Sequence, residues 1–217
     1  MPDRPIYLKQ LELGPMQNFV YLLGDPQTKE AAVVDPGWEV PKILAAAEAD
    51  GYRLTRVLLT HSHFDHVMGL GELLKAVDVP VHIHDAEVGD LSISPSAIEP
   101  VTHGEVIHVG SIPITLVHTP GHTEGSQCLL ADNRLLSGDT LFIGGCGRCD
   151  LPGGNPGALY HSLAQTLKRL DDRTQLYPGH NYAQAPHSTL GEEKQRNPFL
   201  QPKTLQEFLH LVGAALS

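Results

Sequence analysis

The chain has 217 residues, 41% of them hydrophobic, and a formal net charge of −10 from 25 acidic and 15 basic side chains. That length buries one substantial core and is read as a single domain spanning residues 1–217, while the negative charge, with no Lys/Arg cluster to offset it, disfavours a nucleic-acid partner. No apolar run approaches the roughly 20 residues that cross a bilayer, and the opening MPDRPIYLKQLELG is mixed from its start, so a soluble, cytoplasmic protein with no membrane partner is expected.

Taken in chain order, IYLKQLEL, NFVYLLGD and AAVVDP read as strands, separated by the turn compositions GPMQ and DPQTKE. Val40, Ile43, Leu44 and Ala47 fall at helical spacing, which predicts a helix ending near Gly51, and the strand RVLLT follows. Leu70, Leu73, Leu74 and Val77 repeat the helical spacing. VPVHIH then alternates apolar and polar residues like a half-buried strand, which places His82 and His84 on its wet face.

The second half repeats the theme. EVIHV, IPITLVH, SQCLLA and RLLSGD are strand candidates, Leu159, Leu163, Leu167 and Leu170 mark an amphipathic helix, and QLYPGH holds a short strand. Leu205, Phe208, Leu209 and Val212 share one face of a last helix. Two blocks of strands, each followed by a helix and a further strand, predict an α/β chain: two sheets packed face to face with helices outside, an αβ/βα sandwich. Cys128, Cys146 and Cys149 are too few for a disulfide scaffold, and the lone CxxC formed by the last two is assigned a packing or loop role.

Seven polar residues stand out by position. His61, His63, Asp65, His66, His122, Asp139 and His180 each lie just past an apolar strand, in LLTHSHFDH, LVHTPGH, LLSGD and LYPGH. Side chains at the ends of several rigid strands can converge on one point that no single element surrounds. Gly121, Gly138 and Gly179 precede His122, Asp139 and His180, where tight turns allow close backbone approach. Five imidazoles and two carboxylates without thiolate suit zinc, iron(II) or manganese, and seven groups exceed what one four-coordinate ion uses. His61 and His63 can point to one side of a short loop while Asp65 and His66 reach a neighbouring point, so the cluster has donors for two divalent ions. One such histidine alone is an ordinary solvated side chain; the joint pattern is a metal site. The remaining histidines carry no comparable spacing.

THSHFDH, TPGHTEGS, SGDTLF and YPGHNY resemble the metal-binding motifs of the metallo-β-lactamase superfamily. The resemblance implies the four-layer sandwich of that fold, with His61, His63 and His122 holding a first metal, Asp65, His66 and His180 a second, and Asp139 bridging them. GDTLFIGGCGRCDLPGG and STLGEEKQRNPFLQ are similar to short bacterial glyoxalase II-like hydrolases and also to persulfide dioxygenases. By that likeness Arg148 and Tyr182 occupy the places of residues that grip glutathione, whereas Asp150 stands where glyoxalase II has an aromatic residue. The implied activity is hydrolysis of glutathione-type acyl thioesters by a metal-bridging hydroxide, with Asp65 and Asp139 orienting it and taking its proton. The alternative is oxidation of glutathione persulfide at a single iron(II) held by His61, His122 and Asp139. Lactam or lactone hydrolysis is a third possibility, and a non-enzymatic metal-binding module the plainest one.

Overall fold

The computed structural model describes residues 5–213, so the ends of the expected span 1–217 lie outside the description. The first sheet runs in chain order through β1 (Tyr7–Leu13), β2 (Asn18–Asp25), β3 (Glu30–Val34), β4 (Arg53–Leu58), β5 (Val81–His84) and β6 (Ile98–Val101). Its first three strands are antiparallel; β3 through β6 are parallel. The parallel part needs crossovers, which α1 (Val40–Ala49) and then α2 (Phe64–Val67) with α3 (Leu70–Ala76) supply as far as β5, two 3₁₀ turns carrying the chain on to β6.

The second sheet is built from β7 (Val106–Val109), β8 (Ile112–His118), β9 (Gln127–Ala131) and β10 (Arg134–Gly138), joined later by β13 (Gln175–Pro178) and β14 (Ser188–Thr189). The β10–β13 pair is parallel and its other pairs are antiparallel. Between β10 and β13 lie a two-strand ladder, β11 (Leu141–Phe142) with β12 (Gly145–Cys146), and helix α4 (Pro156–His161). Helices α5 (Leu190–Arg196) and α6 (Leu205–Leu211) follow β14.

Period-two alternation along strands buried on both faces divides the apolar residues into separate cores. In β2, Phe19, Tyr21 and Leu23 join Ile114, Leu116 and Leu129 between the two sheets. Val20 and Leu22 face the other way, towards Ile43, Leu70 and Leu73 on α1 and α3. On the far side of the second sheet, Cys128, Leu135 and Leu176 pack against Leu159, Leu163 and Phe208. The layers therefore run helix, sheet, sheet, helix: the expected αβ/βα sandwich of two mixed sheets. Among the described residues no helix is long and apolar enough to cross a membrane.

Two sequence expectations change, and some elements went unread. His82 and His84 are buried rather than wet, at 4% and 7% exposure. Both faces of β5 are covered: His82 Nδ1 meets Glu99 Oε2 of the neighbouring β6 at 3.3 Å, and the His84 ring stacks on His118 with centroids 3.9 Å apart. The leucines 159, 163, 167 and 170 do not share one continuous α-helix. After α4 the chain makes a π turn over 162–166 and a 3₁₀ turn over 167–169. Leucines spaced by four outrun the 3.6-residue α repeat, and the wider π turn keeps Leu163 and Leu167 facing the core. Finally, β6, β14 and α5 carry too little periodic apolar sequence to be read in advance.

Candidate metal centre

The ends of β4, β8, β10 and β13 meet at one edge of the sandwich. β4 stops at Leu58, the chain bends at Thr60, and the irregular stretch that follows brings His61 Nε2 and His63 Nδ1 to face each other. The single helical turn α2 then swings Asp65 and His66 to a neighbouring point. His122 arrives from the β8–β9 loop, Asp139 directly after Gly138 at the end of β10, and His180 two residues past β13. Gly138 adopts φ +49° and a Cβ there would lie 2.4 Å from Thr60 Oγ1; a Cβ on Gly179 would lie 2.3 Å from Asp139 Oδ1. Only glycine lets these turns approach so closely.

All seven expected residues are brought together. His61 Nε2 and His122 Nε2 both aim at His63 Nδ1, at 3.1 and 2.9 Å. In the second group His66 Nε2 and His180 Nε2 face each other at 3.2 Å, with Asp65 Oδ2 at 3.5 and 3.4 Å from them. Asp139 lies between the groups: Oδ2 is 3.6 Å from His122 Nε2 and 3.3 Å from His180 Nε2, while Oδ1 is 3.4 Å from His66 Nε2.

The outward-facing nitrogens show what the inward-facing ones must be. His66 Nδ1 donates to Asp35 Oδ2 at 3.1 Å, His180 Nδ1 to the Met16 carbonyl at 2.9 Å and His122 Nδ1 to the Arg148 carbonyl at 2.7 Å. Thr60 Oγ1 donates to Asp35 at 2.6 Å, which leaves that oxygen to accept from His61 Nδ1 at 3.0 Å. In the neutral form that binds a metal, with Nδ1 carrying the proton, each of these four rings presents an Nε2 lone pair inward. Lone pairs facing lone pairs at about 3 Å repel unless a cation stands among them, and Asp139 Oδ1 is buried with no hydrogen-bond partner. Donor set, tautomers and orphaned oxygen all fit divalent metal.

Electrostatics agree. Burial drives His61 well below the ordinary imidazole value, with His66 and His122 adding to it, which keeps it neutral. For His180 burial also works downward, but the Asp139 and Asp65 carboxylates outweigh it and raise the pKa to about 10. His66 is likewise raised against burial by Asp139 and Asp35. Asp139 is held below the carboxylate range by His66, His180 and His122 despite burial. The second group draws positive charge.

Several supporting residues escaped the sequence reading. Asp35, buried at the exit of β3, accepts from the Thr60 amide at 2.8 Å as well as from Thr60 Oγ1 and His66. It lies within the same cluster as His61 and His66, but its oxygens are already committed. Asn18 donates to Asp65 Oδ2 and accepts from Trp38 Nε1, both at 2.9 Å. Glu87 ties two ligand loops together by accepting from the Ser62 amide at 2.6 Å and the Gly125 amide at 2.9 Å. Asp35 had a visible signal, since AAVVDP also puts a carboxylate just past an apolar strand.

The centre forms part of the wall of a cavity of about 940 Å³. Arg148 and Tyr182 both line it. Tyr182 lies flat on the His180 ring, with centroids 4.7 Å apart and planes at 10°. Arg148 is paired with Asp150 through two bonds of 2.9 Å. The three cysteines are free thiols, in keeping with a packing or loop role; Cys146 lines the cavity, but burial pushes its thiol up to about 12.

A histidine–aspartate cage at the open edge of an αβ/βα sandwich defines a class of metal-binding domain, and residues 13–180 match the family model of the metallo-beta-lactamase superfamily. The chain belongs to that superfamily. A hydroxyacylglutathione hydrolase of Alkalilimnicola ehrlichii is 39% identical over 191 residues, covering 87% of this chain and 71% of its own. A probable polyketide biosynthesis zinc-dependent hydrolase, BaeB of Bacillus velezensis, is 29% identical over 193 residues, covering 89% of this chain and 86% of its own. The crystal structure of ETHE1 from Myxococcus xanthus is similar, with a TM-score of 0.86 at 33% identity, covering 95% of this chain and 90% of that one.

Proposed function

We propose that this chain is a metal-dependent thioester hydrolase, with glutathione thioesters of the S-D-lactoylglutathione kind as its reference substrates. The observation that carries this reading is the convergence of inward-facing lone pairs, in two groups joined by Asp139, on the wall of an open cavity. His61, His63 and His122 would hold one divalent ion and Asp65, His66 and His180 a second, with Asp139 shared. The hydroxyacylglutathione hydrolase and zinc-dependent hydrolase relatives support a hydrolase that uses zinc, and iron or manganese suit the same donors. Ions bound there would supply Lewis acidity, polarising a carbonyl and lowering the pKa of a bound water towards about 7.

The chain's own groups complete the chemistry. Asp65, held by Asn18, keeps a fixed orientation for the attacking water. Asp139 would help Asp65 to orient that water and take up its proton. A thiolate leaves readily, because a free thiol ionises near pH 8.5, so no dedicated proton donor is required. Tyr182 and Arg148 line the space that receives the thiol carrier.

The test is purified protein of known metal content, assayed in parallel on S-D-lactoylglutathione and on glutathione persulfide with oxygen uptake recorded. Thioester hydrolysis that rises with metal loading, without oxygen consumption, is expected. One iron per chain with oxygen consumed by the persulfide would overturn the reading in favour of a dioxygenase.

A further inference from the structure

Glu87 is a carboxylate buried to 2% exposure in the wall of the cavity, and the proposed hydrolysis makes no use of it. Both of its oxygens are committed: Oε2 accepts from the Ser62 amide at 2.6 Å and Oε1 from the Gly125 amide at 2.9 Å. It is therefore neither a metal ligand nor a proton acceptor. The two amides belong to loops of different sheets. Ser62 stands between His61 and His63, after β4, and Gly125 three residues after His122, between β8 and β9. This second loop is closed on itself, because the Gly121 amide donates to the Thr123 carbonyl and the Thr123 amide to Ser126 Oγ. A hold on Gly125 is thus a hold on His122.

The side chain comes from a fixed support. The 3₁₀ turn Asp85–Asp90 begins with the Ala86 amide donating to His84 Nδ1 at 3.3 Å. The His84 ring stacks on His118 of the opposite sheet, and His118 Nε2 donates to the Glu124 carbonyl at 2.9 Å. Glu87, His84, His118 and Gly125 so form a closed circuit from sheet to sheet. The fit is tight: a Cβ on Gly125 would lie 2.3 Å from Glu87 Cγ.

We propose that Glu87 is a positioning residue for the group of His61, His63 and His122, holding their two loops at the span at which the three rings bind one ion. This rests on the two-ion reading of the cage. Glu87→Gln leaves one acceptor oxygen for two amides and turns an NH₂ towards the other, donor against donor, so the loops part. Asp65 and His66 keep their own holds on Asn18 and Asp35, so the loss falls on the first group.

The test is a cobalt(II) titration of the metal-free full chain followed by visible absorption, with His63→Ala and Asp65→Ala marking the bands of the two groups. In Glu87→Gln the step of His61, His63 and His122 should weaken by about 10- to 100-fold, with its band altered. The other step should stay within about twofold. Gly125→Ala, which pushes Glu87 aside without changing any charge, should reproduce the selective loss, and the double variant should be no worse than the poorer single one, as two changes to one contact require. Equal losses in both steps, or none, overturn the proposal. Circular dichroism of the metal-free variants identifies an unfolded chain, and if Glu87→Gln does not fold, Gly125→Ala decides. If wild type takes up a single cobalt, the two-ion reading fails, and the role of Glu87 stands only where His63→Ala abolishes that binding and Glu87→Gln weakens it. Uptake of no cobalt by wild type overturns both.

Discussion

Replacing Asp35 by asparagine perturbs the metal centre without touching a proposed ligand. Asparagine tolerates the left-handed backbone that Asp35 adopts, φ +50°, so the main chain keeps its path. The carboxylate accepts three hydrogen bonds, from the Thr60 amide, the Thr60 hydroxyl and His66 Nδ1, at 2.8, 2.6 and 3.1 Å. An amide has only one acceptor oxygen. If that oxygen stays on the Thr60 amide, the new NH₂ faces His66 Nδ1–H, donor against donor. His66 then either leaves a buried donor unpaired, at about 1–3 kcal/mol, or moves its proton to Nε2 and loses the inward lone pair. Either route weakens metal binding by about 10- to 100-fold, equivalent to about 1.4–2.7 kcal/mol. The larger loss should fall on the group of Asp65, His66 and His180, since His66 is the ring Asp35 touches. Chelator competition read as two binding steps, with thermal unfolding of the metal-free protein as control, measures it. Two unperturbed binding steps in a folded variant would refute the tautomer argument on which the metal centre rests.

Other positions give further tests. Asn18→Ala removes the bonds to Asp65 and Trp38. It should weaken metal retention about tenfold, measured by metal analysis after dialysis; full retention would reduce Asn18 to a packing residue. Gly147→Ala would place a Cβ 1.8 Å from the Asp139 carbonyl oxygen, a collision that only backbone movement relieves. We expect native circular dichroism with metal content well below wild type, and normal loading would show that the loop shifts freely. Asp25, in the first sheet, accepts from the Ser111 amide at the β7–β8 turn and from the Gln27 amide, which hold its carboxyl down at about 2. A folded pKa below the unfolded one gives stability that is present above about pH 4 and lost as the pH falls towards 2. Denaturant unfolding should therefore show Asp25→Asn less stable by about 1–2 kcal/mol at pH 7, with the difference shrinking by pH 2.5; a constant difference would count against this.

The architecture and the cage were both legible in the sequence because each is written in local pattern. Alternating and helical spacings announced most strands and helices, and the seven cage residues share one rule, polar side chains just past apolar strands. What the sequence concealed depends on contacts between distant segments. His82 and His84 look like wet-face residues until β6 and His118 cover them. The leucines from 159 to 170 read as one helix because spacing alone cannot distinguish a continuous α-helix from one that widens into a π turn. Asn18 and Glu87 stabilise the cage only through partners 47 and 38 residues away. Asp35 obeys the strand-end rule as well as any ligand does, but its role is visible only once its oxygens are seen to be filled.

The most direct measurement is anomalous diffraction from crystals of the metal-loaded protein, recorded on both sides of the metal's absorption edge. Two peaks are expected, one among His61, His63 and His122 and the other among Asp65, His66 and His180, with Asp139 touching both. A single peak, or metal bound elsewhere while these rings still face each other empty, would contradict the dinuclear centre from which the proposed hydrolysis follows.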